Sequence, residues 1–114
     1  MNRVSTHVLD IALGRPAAAV PVRLERRENS GEWRLVGSAQ TDDEGRCGQL
    51  LPEPHVLSAG VYRLSFLTGS YFATRGNAAL YPVVEITFEV RAGESHYHIP
   101  LLLSPNGYTT YRGS

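Results

Sequence analysis

Two histidines separated by one residue, His96 and His98, have the spacing in this sequence that best suits chemistry. Residues two apart in a strand face the same side, so a strand here would point both imidazoles in one direction. Such a pair can supply two ligands to zinc or copper, or act in general acid/base catalysis near neutral pH. It can also be a pair of surface histidines without a function. A zinc site needs a third protein ligand, and the other histidines are His7 and His55.

Two further residues, His7 and Arg46, have side chains suited to proton transfer or binding. His7 lies in residues 3–9, whose β-branched side chains predict a strand, and a lone histidine there is equally typical of simple packing. Arg46 follows the acidic turn at residues 41–45. Its planar, permanently charged guanidinium could clamp an anion, or it could be ion-paired in solvent. For the neighbouring Cys47 we expect a small, half-buried side chain and no nucleophilic role.

The last four residues, Tyr111, Arg112, Gly113 and Ser114, place an aromatic ring, a cation, an unobstructed backbone and a hydroxyl beside the terminal carboxylate. Residues at chain ends are usually poorly tethered and carry little chemistry. The plain alternative is an edge strand whose end happens to be polar. No serine in the sequence has the surroundings of a nucleophile elbow, so a serine nucleophile is not indicated.

The segments that must position these residues are mostly β. Alternating apolar and polar residues, separated by turn-forming residues, predict seven or eight short strands. They fall in residues 3–9, 20–26, 33–37, 60–67 and 83–90 and in a hairpin over residues 96–114. Residues 71–80 could hold one short helix, which Gly76 weakens. This pattern favours an all-β, antiparallel β-sandwich, and the length favours a single domain over residues 1–114.

Composition excludes several functional classes. Eleven basic and eleven acidic residues give zero net charge, so we expect neither nucleic acid nor a membrane surface as a partner. The single cysteine cannot form an internal disulfide, and no run of eighteen apolar residues or signal-peptide pattern is present. We therefore expect a cytoplasmic protein, or a periplasmic one only if a signal peptide was removed.

Several motifs occur together in one order along the chain. They are His7-Val-Leu-Asp10, Gly14-Arg-Pro-Ala17, Thr41-Asp-Asp-Glu-Gly-Arg46, His96-Tyr-His-Ile-Pro-Leu-Leu-Leu-Ser-Pro105 and Tyr111-Arg-Gly-Ser114. In this the chain resembles the 5-hydroxyisourate hydrolases, the transthyretin-related enzymes of urate breakdown, from Ser5 to Ser114. The final tetrapeptide is the most specific part, because hormone-carrying transthyretins share the fold but not this ending.

The resemblance implies a transthyretin-like β-sandwich of seven to eight strands with one short helix. It also implies a homotetramer, a dimer of dimers, with active sites in the channel where the dimers meet. The implied catalytic residues are His7, Arg46, His98 and Ser114. The implied substrate-binding residues are His7, Arg46, Tyr111, Arg112, Gly113 and Ser114.

The implied reaction is hydrolysis of 5-hydroxyisourate to 2-oxo-4-hydroxy-4-carboxy-5-ureidoimidazoline. On this hypothesis one of His7 and His98 activates water as general base, and the other orients substrate or passes a proton. Arg46 would hold the anionic substrate, and no metal or organic cofactor would be needed. The alternatives are a transthyretin-like carrier of a small ligand, without catalysis, and a metalloprotein built on the paired histidines.

Overall fold

Ten β-strands and one short helix make up the part of the chain that the computed structural model describes, residues 2–114. The strands form two sheets that enclose one hydrophobic core, which confirms the predicted all-β sandwich. One sheet, called here the site sheet, contains β1 (Arg3–Asp10), β2 (Arg15–Pro16), β5 (Arg46–Cys47), β8 (His96–His98), β9 (Leu101–Ser104) and β10 (Gly107–Thr110). The four-stranded sheet contains β3 (Pro21–Arg27), β4 (Trp33–Gln40), β6 (Gly60–Phe66) and β7 (Val84–Val90).

Strand β1 is the centre of the site sheet. It pairs antiparallel with β2 and β5, and parallel with β8 and β9. The parallel pairs depart from the purely antiparallel sandwich that the sequence predicts; the chain can make them because it crosses through the other sheet before returning. The four-stranded sheet is antiparallel throughout, in the order β4-β3-β6-β7.

Alternate residues of the long strands β1 and β6 fill the space between the sheets. On β6, Tyr62, Leu64 and Phe66 are fully buried, as their spacing predicts. On β1, Val4 and Val8 are equally buried, and each such side chain contributes about 1.5–3 kcal/mol by leaving water. Because these even-numbered residues of β1 face the core, the odd-numbered ones lie on the outer face of the site sheet.

Strand β4 is confirmed, but its buried face differs from the alternation of Trp33 and Leu35. The pairing with β3 shifts between Leu24 and Glu25, which leaves Val36 as an extra residue in β4. A bulge of this kind turns the side chains that follow it to the other face. Leu35, which precedes the bulge, is 49% exposed, and the extra residue Val36 packs against the core instead.

The helix α1 (Thr68–Ala73) begins before the predicted segment of residues 71–80 and ends within it. Tertiary contacts set its start, because buried Thr68 donates its hydroxyl to the Tyr81 carbonyl at 2.9 Å and Gly69 N–H donates to Pro82 O. No helix in residues 2–114 is long and apolar enough to cross a membrane.

The helix is attached to the site sheet by Tyr71. Its hydroxyl donates to Asp10 Oδ2 at 2.7 Å, and the backbone N–H of Leu13 donates to Asp10 Oδ1 at 3.0 Å. Burial, followed by the hydrogen bond to Asp10, raises the pKa of Tyr71 to about 12. Asp10 thus has a structural role, because both of its carboxylate oxygens are used in fixing the end of β1.

Candidate active site

Cross-strand pairing with β1 brings His7, His98 and Arg46 together on the outer face of the site sheet. Ser5 lies opposite His98 of β8, and His7 lies opposite Arg46 of β5. Ser5 and His7 are two residues apart, so they share one face of β1. The first strand, the acidic turn and the C-terminal part of the chain therefore meet at one place, which joins three of the predicted catalytic residues.

A cavity of about 220 Å³ lies on this face. It is lined by Arg3, Ser5, Thr6, Arg46, Cys47, Gly48, His96, His98 and Ser114. Both histidines of β8 contribute, whereas Tyr97 between them is buried in the opposite direction. The prediction that the two imidazoles point to the same side is confirmed.

A larger depression, of about 300 Å³, lies elsewhere and is mainly apolar. Its lining includes Phe88, Tyr97, Tyr111 and Arg112 but no histidine. We place the candidate site in the smaller cavity because proton transfer and anion binding need imidazole and guanidinium groups rather than apolar surface.

His98 is held by Ser5 and has one ring nitrogen free. Ser5 Oγ lies 2.8 Å from His98 Nδ1, and Ser5 itself is only 5% exposed. His98 Nε2 has no hydrogen-bond partner in residues 2–114, yet no buried side-chain nitrogen there is left unpartnered, so Nε2 is open to solvent. Burial lowers the pKa of His98 below its ordinary 6.5, and the positive charges of His7 and Arg46 lower it further. The imidazole is therefore neutral at pH 7.

His7 is fixed through its other ring nitrogen. Its Nε2–H donates to the backbone carbonyl of Glu44 at 2.8 Å. A carbonyl oxygen can only accept, so Nε2 carries the proton and Nδ1 holds the lone pair when the ring is neutral. His7 is half-buried and does not itself line the cavity, but it lies opposite Arg46, which does.

The acidic turn before Arg46 has a structural purpose. Asp42 Oδ1 accepts hydrogen bonds from the backbone N–H groups of Glu44 and Arg46, both at 2.9 Å, which closes the turn. Gly45 has φ of 78°, and a Cβ there would come within 2.3 Å of the Val8 carbonyl oxygen of β1. The turn thus packs directly on β1 and carries Arg46 to its place opposite His7.

The guanidinium of Arg46 is available for a ligand. Its side chain is exposed and makes no ion pair in the described part of the chain, 2–114. The adjacent Cys47 is more buried than predicted, at 5% exposure. Burial, followed by the charge of Asp42, raises the pKa of Cys47 to about 11, so its thiol stays protonated and is not a nucleophile.

The four C-terminal residues divide between two places. Gly113 N–H donates to the His98 carbonyl at 2.8 Å, and Ser114 lines the cavity. Tyr111 and Arg112 instead line the apolar depression. Within one chain, only the second half of the predicted tetrapeptide site lies beside His98.

The remaining histidine, His55, lies in a separate surface depression with Asn2, Gln49 and residues 51–54. In residues 2–114 no three His, Cys, Asp or Glu side chains come together as metal ligands would. Reasoning from the sequence missed Ser5 and Arg3, although both could have been found by extending the alternation of β1 from His7 towards the N-terminus.

Comparison with known proteins identifies the family and the relatives of this chain. The model of a family described as HIUase/Transthyretin matches residues 4–113. A 5-hydroxyisourate hydrolase of Halalkalibacterium halodurans is 44% identical over 118 residues, covering 99% of this chain and 98% of that protein. The structure of Klebsiella pneumoniae 5-hydroxyisourate hydrolase has a TM-score of 0.86 and 37% identity, with 100% of both chains covered. Sea bream transthyretin in complex with thyroxine has a TM-score of 0.90 and 32% identity, covering 97% of this chain and 94% of that one.

Proposed function

Because this chain belongs to the HIUase/transthyretin family, we propose that it is an enzyme that hydrolyses 5-hydroxyisourate in urate degradation. The observation that carries the proposal is the imidazole of His98, hydrogen-bonded to Ser5 and in one cavity with Arg46. It occurs in a chain that is similar over nearly its whole length to relatives named 5-hydroxyisourate hydrolase.

His98 is the general base in this proposal. In the tautomer that base catalysis needs, Nδ1–H donates to Ser5 Oγ and the lone pair of Nε2 faces the cavity. Nε2 takes a proton from water as the water attacks the ring carbonyl of the substrate, and the resulting imidazolium keeps its bond to Ser5. A positioned base of this kind typically accelerates a reaction by about 10² to 10⁴.

Arg46, His7 and Ser114 complete the proposed site. The unpaired Arg46 guanidinium binds the anionic substrate and stabilises the charge that develops on the attacked oxygen. His7, whose Nδ1 carries a lone pair with no hydrogen-bond partner in residues 2–114, orients the substrate or relays to the leaving nitrogen the proton that His98 takes from water. Ser114 closes the cavity beside His98. We assign no metal or organic cofactor, since these groups supply a base, an anion site and a proton.

We further propose that the active form is a tetramer. Four exposed apolar residues lie by the β9–β10 hairpin, namely Ile11, Leu80, Tyr81 and Tyr108. Tyr81 and Tyr108 stack edge to face at 5.5 Å between ring centroids, so part of this surface is already ordered. Light scattering should give four times the 12.5 kDa of one chain. A cytoplasmic location stays a prediction, supported by the single, buried cysteine.

The test of the activity follows the substrate itself. Urate oxidase generates 5-hydroxyisourate, and its ultraviolet decay is recorded with and without the protein. We expect acceleration by the protein, none by His98→Asn, and full activity in excess EDTA. A decay equal to the spontaneous rate would contradict the proposal, and loss of activity in EDTA would favour the metalloprotein alternative.

A transthyretin-like carrier is the alternative from another class. The lining of the cavity argues against a carrier, because two histidines and two arginines lie where an apolar ligand would need aliphatic surface. Calorimetric titration with thyroxine, the ligand of the sea bream structure, separates the two functions. Tight binding of thyroxine without hydrolysis of 5-hydroxyisourate would establish the carrier.

A further inference from the structure

Within residues 2–114, Arg112 makes its polar contacts with residues of or just before β8. Its Nη1 donates to Glu94 Oε1 at 3.2 Å, and its Nη2 donates to the His96 carbonyl at 3.2 Å. The guanidinium carbon lies 4.2 Å from the ring centroid of Tyr97. These contacts lie on the side of β8 opposite the cavity, since Tyr97 points away from the two histidines.

The partners of Arg112 are themselves fixed. Tyr97 is 3% exposed, its hydroxyl donates to the same Glu94 Oε1 at 2.6 Å, and it accepts the backbone N–H of Arg91 at 2.9 Å. Arg112 and Glu94 are 47% and 40% exposed, and an ion pair so exposed stabilises little alone. Here the pair is joined to a buried ring by hydrogen bonds and a cation–π contact, so the four groups order one another.

The residue that follows Arg112 lies on His98. Gly113 forms a backbone bridge with His98, and its backbone approaches the ring so closely that a Cβ would lie 2.6 Å from His98 Cδ2. Where Arg112 is held therefore decides where Gly113 and Ser114 lie. We infer that Arg112 is a positioning residue, which acts with Glu94 and Tyr97 to hold Gly113 and Ser114 against His98, and is not a ligand of the substrate.

Gly113 and Ser114 form the tail of the chain, and releasing this tail would change the environment of His98 directly. Burial is the largest cause of the lowered pKa of His98, followed by the charges of His7, Arg46, His96 and Arg3. Those charged groups lie on β1, β5 and β8 and stay in place when the tail moves, while Ser114 leaves the cavity. The terminal carboxylate leaves with Ser114, and it is not among the causes of the lowered pKa of His98. Water then reaches the imidazole, and the pKa of His98 rises towards 6.5.

The experiment compares Arg112→Gln with the natural protein, both labelled with ¹³C at histidine Cε1. The chain has four histidines, so four resonances are followed against pH, and His98→Asn assigns that of His98. We expect Arg112→Gln to raise the pKa of His98 alone. The inference rests on the proposed hydrolase function only for its kinetic part, in which kcat falls about tenfold, equal to about 1.4 kcal/mol.

Arg75→Gln is the matched control. Arg75 lies 3.8 Å over the ring of Tyr71 and donates to the Tyr71 carbonyl at 3.1 Å, so it repeats the arginine-on-tyrosine contact far from His98. It should change neither the pKa of His98 nor kcat. Glu94→Gln keeps the arginine at position 112 but removes its charged partner, so it should act in the same direction as Arg112→Gln. The double variant should add little to either, because both disrupt one network.

Two results would overturn the inference. A raised KM with the pKa of His98 and kcat unchanged in Arg112→Gln would identify Arg112 as a substrate ligand. An unchanged His98 pKa in both Arg112→Gln and Glu94→Gln would show that the tail is held without them. If the natural protein does not hydrolyse 5-hydroxyisourate, the function fails, yet the titration of His98 still decides the role of Arg112.

Discussion

Gly113 lies against His98 so closely that one added methyl group would occupy the space of the imidazole. The distance from a Cβ at Gly113 to His98 Cδ2 would be 2.6 Å, well inside van der Waals contact. The glycine of the terminal tetrapeptide is thus required by the histidine it touches and not by its own backbone angles. This relationship links the C-terminal residues to the proposed chemistry more directly than the hydroxyl of Ser114 does.

The first prediction follows from that contact. Gly113→Ala should displace the His98 ring and lower kcat/KM about 10²-fold, because misplacing a catalytic group by about 1 Å has effects of this size. Gly107→Ala is the matched control, since the nearest atom to its Cβ is Ser104 Oγ at 3.8 Å. Steady-state kinetics and melting temperatures are measured for both. Equal activities in the two variants would show that the close packing of Gly113 against His98 is not needed for catalysis.

The pH dependence of kcat/KM should report His98. A base works when deprotonated, and the lowered pKa of His98 moves the acid limb of the profile below pH 6.5. The free energy of unfolding should depend on pH in the same sense: the unfolded chain binds a proton at His98 below pH 6.5 before the folded chain does, so stability decreases as pH falls from there towards the folded pKa. An acid limb at or above pH 6.5 would contradict the assignment of His98 as base.

Ser5 should orient the base without touching the substrate. Ser5→Ala removes the only side-chain partner of His98 Nδ1 in residues 2–114, and we expect kcat to fall about tenfold with little change in KM. Ser5→Thr keeps the hydroxyl and should restore most of kcat. Ser104→Ala removes a hydroxyl that donates to the Gly107 carbonyl at 3.1 Å and serves as control. Equal rates for Ser5→Ala and Ser104→Ala would leave Ser5 without a role in catalysis.

Gly45 should be the residue of the acidic turn that tolerates change least. Gly45→Ala combines φ of 78° with a clash at 2.3 Å against Val8 O, so we expect the free energy of unfolding to fall by about 2–4 kcal/mol and Arg46 to shift. Gly76→Ala has φ of 72° with nothing within 4 Å and should lose only about 1 kcal/mol. Urea unfolding curves and kcat/KM are measured for both the Gly45→Ala and the Gly76→Ala variants. A Gly45→Ala protein as stable and active as Gly76→Ala would refute the packing of the turn on β1.

The strands could be predicted because alternation is a local property of the chain. Tyr62, Leu64 and Phe66 alternate and are buried, and the shared face of His96 and His98 follows from their spacing alone. The bulge at Val36 could not be predicted, because it arises from pairing with β3 and not from the residues of β4. The helix likewise begins where Thr68 meets the Tyr81 carbonyl, a contact that no local pattern encodes.

The arrangement of the site could be predicted from the sequence less fully than the strands. That Arg46 faces His7, and Ser5 faces His98, depends on cross-strand register, and only the family resemblance placed Arg46 and the two histidines in one site. The resemblance treated Tyr111 to Ser114 as one group of site residues. The structure divides them, since Arg112 turns to Glu94 and Tyr97 on the far side of β8.

The hydrogen bond between Ser5 and His98 joins residues 93 positions apart. During synthesis, Ser5 and His7 leave the ribosome early. Strand β1 can pair with β8 only after nearly all of the remaining chain has been synthesised. Contacts of such sequence separation close slowly and late. Recovery of catalytic turnover during refolding should therefore lag behind recovery of the fluorescence of Trp33, whose ring in β4 packs against Arg63 of β6, which makes enzymatic activity a stringent reporter of a completed fold.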